Sequence, residues 1–129
     1  MSKKKNNYTP LSSIGEFGLI NRIKSKFDLK NSSTILGIGD DAAVIDNKNK
    51  TVVSTDMLVE NIHFNLMYVP LKHLGYKSVV VNLSDIFAMN AKPEQITVSL
   101  SVSNRFTLEA VDELYSGIKL ACEKYKVDL

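Results

Sequence analysis

Apolar residues recur along this chain with two different periods, and the switches between them outline its elements. Phe17, Ile20, Ile23 and Phe27 are spaced by three or four, which places them on one helical face. Ser13-Ile14-Gly15-Glu16 just before them has the form of a capping box, in which hydroxyl and carboxylate each satisfy a free backbone N–H, so a helix is expected from there to about Phe27. Asn31-Ser32-Ser33 breaks the pattern, Thr34-Ile35-Leu36 enters a glycine-containing loop, and Ala43-Val44-Ile45 leaves it as a second short apolar stretch. Asp46-Asn47-Lys48-Asn49-Lys50 is a polar turn and Thr51-Val52-Val53-Ser54-Thr55 reads as the returning strand, which predicts a hairpin.

The stretch from Leu71 to Met89 is longer than a usual strand despite Val79-Val80-Val81, and a helix is predicted over it. On that helix Ser78, Asn82, Asp85 and Met89 step by four, three and four, so a polar stripe ending in Asp85 crosses an otherwise apolar element. Polar groups so placed need partners, and a cation suits Asp85. Lys92-Pro93 closes the element. Ile96, Val98, Leu100 and Val102 then alternate with Gln95, Thr97, Ser99 and Ser101, the period of a strand with one buried face. From Thr107, the residues Leu108, Val111, Tyr115, Ile118, Cys122 and Tyr125 form a second helical stripe, and Val127-Asp128-Leu129 resembles the first residues of a further strand. The pattern describes a mixed α/β domain without internal repeat, truncated at its C-terminal end.

With 129 residues, the chain is the size of one domain, expected over 13–129 behind a flexible polar tail at 1–12. Apolar residues make up 44% and charged residues 23%, a globular composition. The net charge of +2 owes much to Lys3-Lys4-Lys5, which has no interleaved aromatics and reads as solvated tail, so no nucleic-acid partner is expected. The one cysteine, Cys122, has no intrachain disulfide partner, no apolar run approaches the roughly 18 residues of a membrane span, and no signal-peptide core is present. A cytoplasmic protein without membrane contact is expected.

Magnesium takes oxygen ligands and bridges a few carboxylates to substrate phosphates, and Asp40, Asp41, Asp56 and Asp85 are the right residue type for it. Asp40-Asp41 lies in a loop between two short stretches, and Asp56 follows Ser54-Thr55, whose hydroxyls add weaker oxygen ligands. The alternative is that Asp40-Asp41 only turns the chain and Asp56 caps the next segment. Gly37-x-Gly39-x-x-Ala42 also fits a dinucleotide fingerprint, but no helix N-terminus follows to hold a pyrophosphate, and two aspartates would face it. Gly75-Tyr76-Lys77-Ser78 lacks the glycines of a phosphate-binding P-loop, and His63 and His73 have no zinc-type spacing.

Gly15-Glu16-Phe17, Gly37-Ile38-Gly39-Asp40-Asp41-Ala42, Ser54-Thr55-Asp56-x-Leu58-Val59-Glu60-x-x-His63-Phe64, and Gly75-Tyr76-Lys77 with Val81-Asn82-Leu83-Ser84-Asp85-x-x-Ala88-Met89 together resemble the thiamine-monophosphate kinase family, in order and to the last residue. The resemblance implies the N-terminal half of the fold shared with aminoimidazole ribonucleotide synthetase: a mixed sheet with helices on one face, joined to the sheet of a dimer mate to form a barrel. It implies ATP-dependent phosphorylation of thiamine monophosphate to thiamine diphosphate. Several Mg²⁺ ions would be held by Asp41, Ser54, Thr55, Asp56 and Asp85, with His63 on the thiamine phosphate and Tyr115 against ATP. The family continues past this length with a Gly-Gly-Asp segment and a second domain, so this chain is expected to be an N-terminal part with little turnover of its own. The competing readings are a non-catalytic nucleotide-binding or dimerisation module, and a related ATP-dependent synthetase, from which the His63 segment discriminates.

Overall fold

Two long helices carry the core because each has an apolar stripe wide enough to bury against the other. In the structure, a computed structural model that describes residues 8–40 and 42–129, they are α2 (Leu71–Ala88) and α3 (Leu108–Tyr125), preceded by α1 (Gly15–Lys24) and the short strands β1 (Thr34–Leu36) and β2 (Val44–Ile45). Leu74, Val79 and Leu83 of α2 meet Val111, Leu114, Tyr115, Ile118, Ala121 and Cys122 of α3, and Ile23 of α1 and Val127 complete the cluster. Full burial of one aliphatic side chain contributes roughly 1.5–3 kcal/mol, so this stripe outweighs the exposed ion pairs, worth about 0–1 kcal/mol each.

At the crossing of α2 and α3 the two backbones touch. A Cβ built on Gly75 would collide with the carbonyl oxygen of Leu114 and lie 3.1 Å from Ile118 N, and one on Gly117 would collide with the carbonyl oxygen of Lys72. Both glycines are there for closeness, not for flexibility. Helix α2 ends where Asn90 takes a left-handed φ of 53° and Ala91 N–H donates to Ile86 O at 3.0 Å. Helix α3 begins with Thr107 Oγ1 accepting Ala110 N–H at 3.2 Å and ends at left-handed Lys126, φ 58°.

That last turn sends Asp128 back into the fold. Its carboxylate is 1% exposed and accepts from Lys30 N–H at 2.6 Å, Asn31 N–H at 2.9 Å and the Thr34 hydroxyl at 2.7 Å. Its backbone bridges in parallel to residues 94–96, with Asp128 N–H donating to Glu94 O at 2.9 Å and Ile96 N–H to Asp128 O at 2.8 Å. Asn31 Nδ2 joins in through Glu94 O and Lys126 O, and Glu94 Oε2 accepts from Ser33. Burial acts first to raise the Asp128 pKa, but the Thr34 hydroxyl and the Asn31 and Lys30 amides outweigh it and hold the carboxyl below its usual range.

The α/β class with helices and a small antiparallel sheet stands, and the two long helices fall where the periodicities place them. Other expectations are corrected. The first helix ends at Lys24, short of Phe27, and Ser13 makes no capping box: its hydroxyl donates to Pro10 O at 2.7 Å and no side chain caps α1. The hairpin is formed by β1 with β2, Thr34 opposite Ile45 and Leu36 opposite Val44, whereas Thr51–Thr55 joins no ladder among the described residues. Among the described residues the mixed sheet reduces to this two-stranded antiparallel one, since 96–102 forms no named strand and is joined to Asp128 only at its start, through Ile96 N–H. Thr9 N–H meets the Glu109 carboxylate and Pro10 bridges to Thr107, while residues 1–7 of the expected tail lie outside the described residues.

Candidate functional site

One side of α2 gathers the sequence-derived site. Asp85 and Asn82 stand three residues apart on that helix, a spacing of about 5–6 Å between Cβ atoms, and the irregular segment 51–59 meets them at Ser54 and Asp56. Ser54 Oγ donates to Asp85 Oδ2 at 2.8 Å, and Asp56 N–H donates to Asn82 Oδ1 at 2.8 Å. Asn82 is itself held by Nδ2 donating to Ser78 O, one turn back, at 3.0 Å. Asn82 and Asp85 of the polar stripe therefore find partners in the Ser54-Thr55-Asp56 segment, whereas the Ser78 hydroxyl donates within the helix to Gly75 O at 2.8 Å.

Farther along, residues 59–64 close a tight turn, with left-handed Asn61 at φ 64° and His63 N–H donating to Val59 O at 2.9 Å. Lys77, also on α2, donates from Nζ to His63 O at 2.9 Å. The His63 Nδ1 accepts the Val59 N–H at 3.0 Å. A ring nitrogen that accepts carries no hydrogen, so the neutral imidazole bears its hydrogen on Nε2. Long-range ¹H–¹⁵N spectra of the neutral ring are expected to show an unprotonated Nδ1; the opposite tautomer would remove this assignment.

The loop between β1 and β2 carries Gly37 to Asp40, with Gly39 at φ 121° and the Lys24 ammonium lying over it. Asp40 is exposed there, and Asp41 lies outside the described residues. Thr55 is exposed beside its two anchored neighbours. Among the described residues no three carboxylate, imidazole or thiol groups converge; the Ser54 hydroxyl meets the Asp85 carboxylate, and the Asp56 backbone is tied to Asn82 one turn before it, so the donors that this segment and α2 offer are hard oxygens. That chemistry fits Mg²⁺ and does not fit a soft metal.

Tyr115 is placed differently: it is 6% exposed and its ring meets Phe27 edge-on at 6.4 Å. Cys122 is fully buried and burial pushes its thiol up to about 11, which leaves it no role as a nucleophile. A cleft of about 480 Å³ beyond the end of α2, lined by Lys48, Lys50, Lys92 and Glu94 among others, contains none of the sequence-derived site residues. Periodicity alone reached Asn82 as part of a stripe but not its bond to Asp56, and Lys77 only through its motif; a polar residue one turn before a candidate ligand is the signal to look for. No helix among the described residues is long and apolar enough to cross a membrane.

Residues 39–129 match the family described as AIR synthase related protein, N-terminal domain. The chain is 38% identical over 118 residues to a thiamine-monophosphate kinase of Bacillus subtilis (strain 168), covering 90% of this chain and 36% of that protein. It is 36% identical over 120 residues to a thiamine-monophosphate kinase of Aquifex aeolicus (strain VF5), covering 92% and 37%. Its fold is similar to the crystal structure of a thiamine-monophosphate kinase from Stenotrophomonas maltophilia K279a, with TM-score 0.65 and 30% identity, covering 90% of this chain and 36% of that one. The chain thus spans little more than a third of the length of these relatives.

Proposed function

The chain belongs to the AIR synthase related family as its N-terminal domain, and on that premise we propose that it is the N-terminal part of a cytoplasmic thiamine-monophosphate kinase, which transfers a phosphoryl group from ATP to thiamine monophosphate. The observation that carries the reading is the fastening of Ser54-Thr55-Asp56 to the face of α2 that bears Asp85. It is supported by the 36–38% identity to thiamine-monophosphate kinases over about nine tenths of the chain.

The acceptor in such a transfer is a phosphate oxygen that already carries negative charge near pH 7, so no general base is required of the chain. The difficulty is to bring two polyanions into line. Asp56, Asp85 and the Ser54 and Thr55 hydroxyls, with Asp41, would hold Mg²⁺, which when bound screens the phosphate charges and fixes their orientation. His63 offers its Nε2–H to the thiamine phosphate. Tyr115, 6% exposed, would lie against ATP at the edge of the core. The stretches 51–55 and 97–102, which join no ladder among the described residues, keep a strand pattern and expose Val53, 84% accessible, and Leu100, 39% accessible; a second copy of the chain supplies their missing neighbours and closes the sheets into a barrel.

A chimera in which these residues replace the matching segment of the Bacillus subtilis relative is expected to form thiamine diphosphate only when Mg²⁺ is present. ATP consumption without thiamine diphosphate would overturn the kinase reading in favour of a related synthetase. In the chain itself, Asp56→Asn and Asp85→Asn are each expected to weaken Mn²⁺ binding, read by electron paramagnetic resonance, about tenfold. Unchanged binding in both would remove the metal assignment.

A further inference from the structure

Asp56 and Asp85 come from different parts of the chain, and nothing in the sequence of either sets the spacing between them. Asp85 is fixed by α2, whose buried face, with Val79 and Leu83 each 2% exposed, locks its rotation about the helix axis. Asp56 sits on an exposed stretch that joins no strand ladder, so its backbone has none of the regular restraints that fix a strand. Its N–H donates to Asn82 Oδ1 at 2.8 Å.

We infer that Asn82 is a positioning residue: by accepting the Asp56 amide hydrogen from the helical face that carries Asp85, it sets the spacing of the two carboxylates for one cation. The inference rests on the metal reading proposed above and deepens it. Three features of the residue suit the role. Its Oδ1 is a neutral acceptor, so it anchors the Asp56 backbone without adding a third negative charge to the pair. The second end of its amide is tied to Ser78 O at 3.0 Å, which limits rotation of the side chain and so fixes where Oδ1 points. It is half-buried, which strengthens a hydrogen bond relative to one made in open water. Ser54 adds a second fastening, but through its own hydroxyl to Asp85, a bond between two proposed ligands that a cation competes for. The Asn82 bond goes to a backbone N–H, which cannot ligate a cation, so it persists when a cation is held.

The test uses the ¹⁵N-labelled 129-residue chain with Mn²⁺ and Mg²⁺ as probes. Asn82→Leu matches the size and removes both polar ends. It is expected to move the Asp56 amide proton upfield, speed its hydrogen exchange and weaken Mn²⁺ binding about tenfold, with the circular dichroism spectrum of the helices unchanged. Asn82→Asp retains an acceptor oxygen but loses the donor to Ser78, and is expected to restore the Asp56 amide shift and bind Mn²⁺ at least as well as the unsubstituted chain. Full Mn²⁺ affinity in Asn82→Leu overturns the inference and leaves the metal reading standing. Loss of affinity in both variants, with the Asp56 amide shift restored in Asn82→Asp, also overturns it, because the bond to Asp56 would then be present without supporting the cation. An unsubstituted chain that binds no Mn²⁺ overturns the metal reading and this inference with it.

Discussion

Alanine at Gly75 is expected to lower stability by roughly 3 kcal/mol or more, although alanine is the better helix former by about 0.8–1.0 kcal/mol. The added Cβ would meet the carbonyl oxygen of Leu114, a backbone atom inside α3 that cannot rotate away as a side-chain tip would. Relief requires the helices to separate, and separation opens gaps around Val79, Val111 and Ile118, which are 1–2% exposed. Overpacking and lost contact therefore act together and exceed the propensity gain. Gly117→Ala meets Lys72 O in the same way and should behave alike. The two changes act at one crossing, so the double variant should cost less than the sum. Thermal unfolding followed by circular dichroism should show the midpoint falling by about 10 °C or more for either. Ser116→Ala, on the exposed side of α3, should stay within about 0.5 kcal/mol of the parent. A Gly75→Ala protein as stable as its parent would mean that the backbones do not touch.

Asp128→Ala should be of similar size for a different reason. It deletes the acceptor of the Lys30 and Asn31 amides and the Thr34 hydroxyl at once. A buried donor left without a partner costs about 1–3 kcal/mol, so the loss is expected to reach at least about 3 kcal/mol in urea unfolding. The pH dependence has a definite sign. The folded pKa lies below the ordinary value of 3.8, so the folded state favours the ionised form. The stabilisation is complete well above that ordinary value and is lost as pH falls through the lower folded one. The stability gap between the parent and Asp128→Asn should be constant above about pH 5 and narrow below about pH 4. A gap that widens on acidification would contradict the assignment.

Residue patterns revealed the helices far better than the sheet, and the reason is locality. Each side of α2 and α3 is written in residues three and four apart, so the stripe that ends at Asp85 could be read before any contact was known. Strand pairing is a choice among distant partners of similar propensity. Ala43-Val44-Ile45 was as good a match for Thr51–Thr55 as for Thr34–Leu36, and only the folded chain distinguishes them, with Asp46 N–H donating to Ser33 O at 2.8 Å to extend the β1–β2 pair. The local motif at Ser13 misled because a hydroxyl has more than one backbone partner within reach, and here it takes Pro10 O. Asp128 read as the start of a strand; its bridge to Gln95 agrees with extended backbone, but its carboxylate reaches back 94 to 98 positions, which no local pattern encodes. The site followed the same division. Asp85 and Asn82 were legible as a stripe and Ser54-Thr55-Asp56 as a motif, while their juxtaposition is tertiary.

Helix α2 faces two ways, toward the glycine crossing on one side and toward the segment 54–63 on the other, where Lys77, Asn82 and Asp85 hold it. A loop ordered only on meeting its ligand loses conformational entropy at that moment, about 1–2 kcal/mol for each backbone residue fixed, and its affinity is lower by that amount. Here much of that ordering has already taken place when the chain folds, as part of the same cooperative step that docks α2 on α3. Ligand capture then begins from a surface whose freedom is already spent, and the affinity of the site becomes a property of the core beneath it.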